Sequence, residues 1–447
     1  MKKLFALLLA LVMALGMVAC SSNDAPAATP DPAPGNTEPA PADDNKTPDP
    51  APAPAGDQEI VMWTFLDPTN TGNGRSVALA QMIEEFQNEN PGVKVTVEPQ
   101  DYNIMTAKFL AAAQTGDAPD IIWCSTGLLS GVLDSGALEP LENLFLGDWT
   151  ADEIADIDDG FFKFGMRDGK HYTMTLSKNA IVMYYRQDLL KAAGYDTFPT
   201  TWEDLAAAGA AATGNGVYGI GQYFSTENSD FPLMCNYIID KQGDLFNADG
   251  TANWNNAVGV DAMNWVVNNM ENGTSSKDSL NTAGEDMITE FSAGKYAMFP
   301  CGAVRVESIK AGASYDPATI KIATIPGGCM LDGWHVGIWS GSENKELAGK
   351  FLEKMYSPES DLLWVNVGGQ APVRASTLNN VEITEDNDYL QVMIDAFATG
   401  YLQPNNGSYD GFKYDLNGAV QQIVAGGMSV EDALAKAADN FNAANGR

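Results

Sequence analysis

The chain alternates between short apolar runs and amphipathic stretches from residue 59 onward. Glu59 to Phe65 reads as an apolar strand, followed by a Gly-rich loop through Gly72 and Gly74. Leu79, Ile83 and Phe86, spaced by four and three, put one apolar face on a helix that Pro91-Gly92 ends. Val93, Val95 and Val97 alternate as a second strand. Met105, Phe109 and Ala112 mark a second helix closed by Gly116, and Pro119 to Cys124 is a continuous apolar run of the kind found in buried parallel strands. Strand, helix, strand, helix, strand predicts an α/β sheet covered on both faces, with ligands beyond the carboxyl ends of the strands. Those ends are Thr64 to Asp67, Glu98 to Asp101 and Trp123 to Thr126.

The stretch from Asp168 to Leu205 has a different character. After an Asp168-Gly169 turn, His171 to Leu176 reads as a strand and Ala180 to Tyr185 as a second apolar run, separated by Ser177, Lys178 and Asn179 with no hairpin turn. Two strand-like runs without a hairpin suggest a chain passing from one sheet to another, an inter-lobe crossover with a hinge at the polar tripeptide. A helix carrying Leu189, Leu190 and Ala193 stops at Gly194, and Thr200 with Glu203 forms a capping box for the next. At the far end, Val420, Ile423 and Val424 precede a Gly426-Gly427 break, and Ala433, Ala437 and Phe441 follow a box at Ser429 and Asp432.

The first 57 residues carry no such pattern. Lys2 and Lys3, an apolar run from Leu4 to Val18, then Ala19-Cys20 form the three regions of a secretory signal, too short for an ordinary membrane span. Cys20 after a small residue resembles the bacterial lipobox, which makes it the expected lipidation site; Met17 stands where that motif usually has Leu. Residues 21–57 hold ten Pro and nine Ala and no Leu, Ile, Val, Met or aromatic residue, so they cannot form a core. Their reach as a partly polyproline-II tether is on the order of 100 Å.

Charge then narrows the ligand. From Gln58 onward the chain has 22 basic and 52 acidic residues, which disfavours nucleic acid and anionic ligands unless a local basic pocket intervenes. Uncharged or cationic ligands are the expectation. Cys124, Cys235, Cys301 and Cys329 have no paired spacing, so disulfides and buried free thiols both remain open.

The segments FQNENPGVKV at 86–95, TGDAPDIIW at 115–123, SGALEPL at 135–141, DGKHYTM at 168–174 and YYRQDLLKAAG at 184–194 resemble the extracellular solute-binding proteins of ABC importers. The similarity is to the maltose-binding-protein-like branch, family 1, which binds sugars and oligosaccharides. FSAGKYAMFPCG at 291–302, the IPGG-to-GW segment at 325–334 and the run from Ser342 to Ser360 continue it in family order. Arg186 and Val304 depart from the family, the latter standing where many members have a ligand-stacking Trp. The resemblance implies a two-lobed periplasmic-binding-protein type II fold, with a ligand cleft between lobes joined by hinge segments. On that basis lobe 1 is 58–177 with 319–355 and lobe 2 is 178–318 with 356–447. It also implies a receptor that hands a neutral carbohydrate to the transmembrane subunits of a permease; with the Cys20 lipobox and the acidic charge, the expectation is a monomer anchored in the membrane by lipid, with no nucleic acid partner and no cofactor.

A sugar cleft needs flat apolar rings for the C–H faces of pyranoses and planar polar groups for paired hydroxyls. Trp63 near the end of the first strand, Trp123 with Ser125 at the end of the third, and Trp334 in the Asp332-Gly333-Trp334 loop are the ligand-facing candidates, weighed against core packing. Asp67 follows the first strand, Tyr223 lies in the GQYFSTENSD loop and Asn179 at the expected hinge; Arg374 occupies a place where the family often contacts ligand. Trp202, Trp265 and Trp364 fall in helical patterns and read as core. Two His and the absence of HExxH, GxSxG and GxxxxGKS motifs argue against catalysis and a catalytic metal, although a carboxylate pair at glycosidase spacing stays open. The competing readings are a lipid-anchored glycosidase, a glycan-binding adhesin, or the same receptor fold for another solute.

Overall fold

The computed structural model describes residues 58–157, 160–225, 233–384, 387–402 and 409–447; Cys20 and the proposed tether lie outside them. Eleven strands are present among these: β1 (Gln58–Thr64), β2 (Val93–Pro99), β3 (Ile121–Ser125), β4 (Met166–Arg167), β5 (Lys170–His171), β6 (Thr173–Arg186), β7 (Tyr218–Ile220), β8 (Tyr296–Gly302), β9 (Ile320–Ala323), β10 (Met330–Ile338) and β11 (Tyr401–Leu402). β4 and β5 form a hairpin whose turn residues, Asp168 at φ 53° and Gly169 at φ 78°, take the left-handed geometry that a two-residue turn needs.

The other nine strands make one mixed sheet in the order β2-β1-β3-β10-β6-β8-β7, with β9 also paired to β6 and β11 to β10. β1 runs parallel to β2 and β3, with α1 (Gly74–Glu89) and α2 (Met105–Thr115) as crossovers. α1 buries Leu79, Ile83 and Phe86, and α2 ends on Gly116 at φ 84°. The helix Trp202–Ala212 is capped by the Thr201 hydroxyl, which accepts from the Asp204 amide. The cap is one residue later than the sequence box suggested, because the extended Thr201 backbone places its own oxygen over the first turn. Ser429 caps the last helix, Val430–Ala444, as expected.

β6 differs most from expectation. Ser177, Lys178 and Asn179 do not break it: they lie inside one 14-residue strand. The transfer between partners is nonetheless real. Thr173 to Ala180 pair with β10, whereas Ile181 to Arg186 pair with β8 and β9. Leu176 is the extra residue where the register against β10 shifts between Trp334 and His335, a bulge that bends and twists the strand just before it changes sides. Polar side chains are tolerated here because the backbone ladder continues beneath them.

Two hydrophobic cores flank this crossing. One gathers Ile60, Met62, Phe86, Phe109, Trp123, Val336, Phe351 and Trp364; the other gathers Tyr184, Trp202, Trp254, Phe291, Phe299, Phe412 and Phe441. β6 gives Met174 and Leu176 to the first and Ala180 to Tyr184 to the second. Its antiparallel partner β10 does the reverse, giving Met330 and Leu331 to the second core and Val336 and Ile338 to the first. The chain crosses again after Trp364 of the first core, placing Val365 and Ala371 in the second and Val373 back in the first. Residues 320–331 thus pack with the second core and Tyr356, Trp364 and Val373 with the first, displacing the exchange points from the expected 319 and 355. All four cysteines among the described residues are buried free thiols, and burial raises the Cys124 thiol to about 12 and Cys329 to about 11.

Candidate functional site

A cleft of about 530 Å³ opens where β6 and β10 pass between the cores. Its floor is Ser177 and Asn179 of β6 against Met330, Asp332, Gly333 and Trp334 of β10. Gly333 is required at this point: a Cβ there would lie 2.5 Å from the Ser177 carbonyl oxygen. One wall comes from the carboxyl ends of the parallel strands, with Phe65 after β1, Gln100, Tyr102 and Asn103 after β2, Ser125 to Leu128 after β3, and Asn73 and Arg75 at the start of α1. The opposite wall is Ile181, the end of β8 with the turn behind it (Cys301, Gly302, Val304, Arg305), Glu285 and Ile288 of the helix Gly284–Ser292, and Lys413 and Tyr414.

The chemistry of the floor is specific. Trp334 and Phe65, both partly exposed, meet with ring centroids 4.3 Å apart at 43°, forming an aromatic plate on the cleft side of the first core. Asn179 Nδ2 donates to Asp332 Oδ1 at 2.7 Å, and its Oδ1 accepts from the Val304 amide at 3.3 Å. The Ser177 hydroxyl donates to Gln370 Oε1 at 2.8 Å. Below the plate, His335 is fully buried with its ring nitrogens 3.1 Å from the hydroxyls of Thr126 and Thr175, and burial lowers its pKa to about 3. A neutral His335 therefore acts as a bolt between β3, β6 and β10 rather than as a titrating group in the cleft.

Of the residues singled out from sequence, Ser125, Asn179 and Trp334 come together in this cleft. The others do not line it. Trp123 is fully buried, edge-on to Phe65 at 5.9 Å and 6.1 Å from Trp364, so it supports the plate from behind. Trp63 is 7% exposed; its Nε1 donates to Glu98 Oε2 at 2.7 Å and Lys108 Nζ sits 4.4 Å from its ring centroid. Asp67 closes an exposed turn, accepting from the Thr69 amide and hydroxyl at 2.9 and 2.7 Å, bonds that hold its carboxyl below the usual range. Tyr223 is buried and donates to the Pro300 carbonyl at 3.1 Å. Arg374, also buried, bonds Asp156 Oδ2 at 2.8 Å and the Tyr356 carbonyl at 2.6 Å, tying the segment after the third crossing to residues 151–157. Trp63, Asp67, Tyr223 and Arg374 thus bond to the protein itself, while the buried Nε1 of Trp123 has no hydrogen-bond partner among the described residues.

Sequence reasoning missed Phe65, Asn73, Arg75, Glu285, Arg305 and Tyr414. Phe65 was within reach, being the first residue past β1, where alternation no longer dictates a face; the larger ring of Trp63 drew the assignment. Val304, the departure from the family's stacking Trp, does line the cleft. No group of three or more metal-ligating side chains occurs among the described residues, and no helix among them is long and apolar enough to cross a membrane.

The sequence profile described as bacterial extracellular solute-binding protein matches residues 81–391. The maltodextrin-binding protein MdxE of Bacillus subtilis is 22% identical over 430 residues, covering 91% of this chain and 88% of that one. Among solved structures, the cyclic alpha-maltosyl-1,6-maltose binding protein from Arthrobacter globiformis superposes with a TM-score of 0.70 at 24% identity, over 87% of this chain and 99% of that one. An ABC transporter solute-binding protein from Thermotoga lettingae, bound with alpha-D-tagatose, gives a TM-score of 0.75 at 21% identity, over 86% and 99%. At these identities the structural likeness carries the fold, a two-lobed α/β binding protein.

Proposed function

The chain belongs to the bacterial extracellular solute-binding proteins, and from that premise we propose that it captures a carbohydrate, mono- or oligosaccharide, and delivers it to the membrane subunits of an ABC importer. The observation that carries this reading is the Phe65–Trp334 plate beside Asn179, Asp332 and Ser125. Flat rings flanked by planar amide and carboxylate groups match the two faces of a pyranose, one lined by C–H and the other by hydroxyls. The sugar ligands named for the Arthrobacter and Thermotoga proteins favour the same class.

The two cores serve as lobes, with β6, β10 and the segment after Trp364 as the hinge segments. Ligand bound to both walls favours the closed arrangement by its differential affinity for that state, and this is what a permease senses. The first 57 residues support export and a lipid anchor at Cys20, followed by a tether that lets a monomeric receptor reach its permease from the outer face of the membrane. A thermal-shift panel of monosaccharides and oligosaccharides, uncharged and acidic, tests the assignment. Saturation at about 100 times Kd stabilises by about 2.7 kcal/mol, so at least one saccharide raises the Tm by several degrees. Stabilisation by a polyamine or a peptide and by no saccharide overturns it.

A further inference from the structure

The cleft reverses the charge balance of the protein that surrounds it. From Gln58 onward acidic residues outnumber basic ones by 52 to 22, yet the charged side chains lining the cleft are Arg75, Arg305 and Lys413 against Glu285 and Asp332. Both acids are engaged: Glu285 pairs with Arg305, and Asp332 accepts from Asn179 at 2.7 Å. Arg75 has no carboxylate at ion-pair distance among the described residues. Its guanidinium lies 5.2 Å from the Phe65 ring centroid, at the edge of the aromatic plate.

Arg75 and Arg305 approach from opposite walls, one at the start of α1 and the other in the turn behind β8. Burial and the like charge of Arg305 lower the Arg75 pKa to about 10, while Glu285 opposes the shift. At neutral pH both groups still carry their charge. A partly desolvated guanidinium with no carboxylate at ion-pair distance is costly, and the cost grows if closure brings the second cation nearer. An anion between them removes the penalty and forms charge-assisted hydrogen bonds to two forks that suit planar or tetrahedral oxygens. A local basic pocket in an otherwise acidic body is the one circumstance that makes an anionic ligand compatible with this protein's charge.

Resting on the saccharide reading above, we propose that the ligand is an acidic sugar whose anionic oxygens sit between Arg75 and Arg305 while its ring lies against Phe65 and Trp334. This departs from the uncharged ligand that the overall charge suggested.

Isothermal titration of the full mature chain with matched probes tests it: uronate disaccharides and sugar 6-phosphates beside the uncharged disaccharides of the same linkage. The expected result is a charged probe bound at least tenfold more tightly than its uncharged match, with Arg75→Gln bringing the ratio within threefold of one and Arg75→Lys keeping part of it. The carboxylate and phosphate arms identify which anion is preferred. Uncharged disaccharides binding as tightly as their charged matches, with a ratio that Arg75→Gln does not move, overturns this inference and leaves the saccharide reading standing. Failure of every saccharide to bind overturns both. A thermal melt of each variant without ligand separates lost folding from lost recognition.

Discussion

Asn179 of β6 and Asp332 of β10 are paired in register and joined by a 2.7 Å hydrogen bond at the point where both strands leave one core for the other. The same Asn179 accepts from the Val304 amide, so one amide side chain links the cleft floor to the far wall. Asn179→Ala removes both bonds. Its expected cost is about 1–2 kcal/mol of stability and a tenfold or greater loss of ligand affinity, read by urea unfolding and by titration. A variant that binds as tightly as the parent would place recognition elsewhere.

Trp334 and Trp123 are separated by a single ring, that of Phe65, but face different surroundings. Trp334→Ala weakens ligand binding by about 1–3 kcal/mol, the scale of a lost aromatic contact. Trp123→Ala instead lowers stability by about 3–5 kcal/mol, as for a large side chain removed from a core. Parallel denaturation and titration of the two variants check the division; the reverse pattern would show that the plate faces inward.

His335 makes stability depend on pH. Its folded pKa of about 3 lies below the ordinary value of about 6.5, so between those limits the unfolded chain binds a proton that the folded chain does not. The contribution is complete above about pH 6.5 and falls as pH drops, by about 2 kcal/mol at pH 5. Denaturant midpoints across pH 4–7 should show this slope in the parent and a shallower one in His335→Gln. Equal slopes would mean that other groups account for the acid sensitivity.

The first three strands, the first two crossover helices and the two apolar runs of β6 were legible in the sequence because apolar periodicity reports backbone burial directly, although β6 changes partners within one sheet rather than passing between two. The cleft was only partly so. Ser125 lies at a strand end and Asn179 at the expected hinge, and Trp334, expected in a loop, lines the cleft from within β10; Trp63, Asp67, Tyr223 and Arg374 bond to the protein itself instead. Arg374 shows the difficulty: its partner Asp156 is 218 positions away, and nothing local says whether a polar group is spoken for. Arg75 and Arg305 were invisible as a pair for the same reason, since their proximity exists only after both cores have formed. Ser177 to Asn179 read as a break because polar residues interrupt an apolar run, although the paired backbone continues through them.

Cys20 stands at the head of the proposed anchor. Cys20→Ala in the full chain is expected to release the receptor from membranes and to abolish incorporation of labelled fatty acid, measured by fractionation and autoradiography. Retention in the membrane fraction with no label in the parent would remove the lipid anchor from the account.

Hydrogen exchange of the full mature chain, with and without a saturating saccharide from the panel, tests most directly whether the cleft at the crossing strands is the capture site. The account predicts new protection in 125–128, 177–181, 302–305 and 332–334, the floor and both walls together. Protection confined to the outer groove formed by 198–200 and 323–328, or to one wall alone, would contradict it.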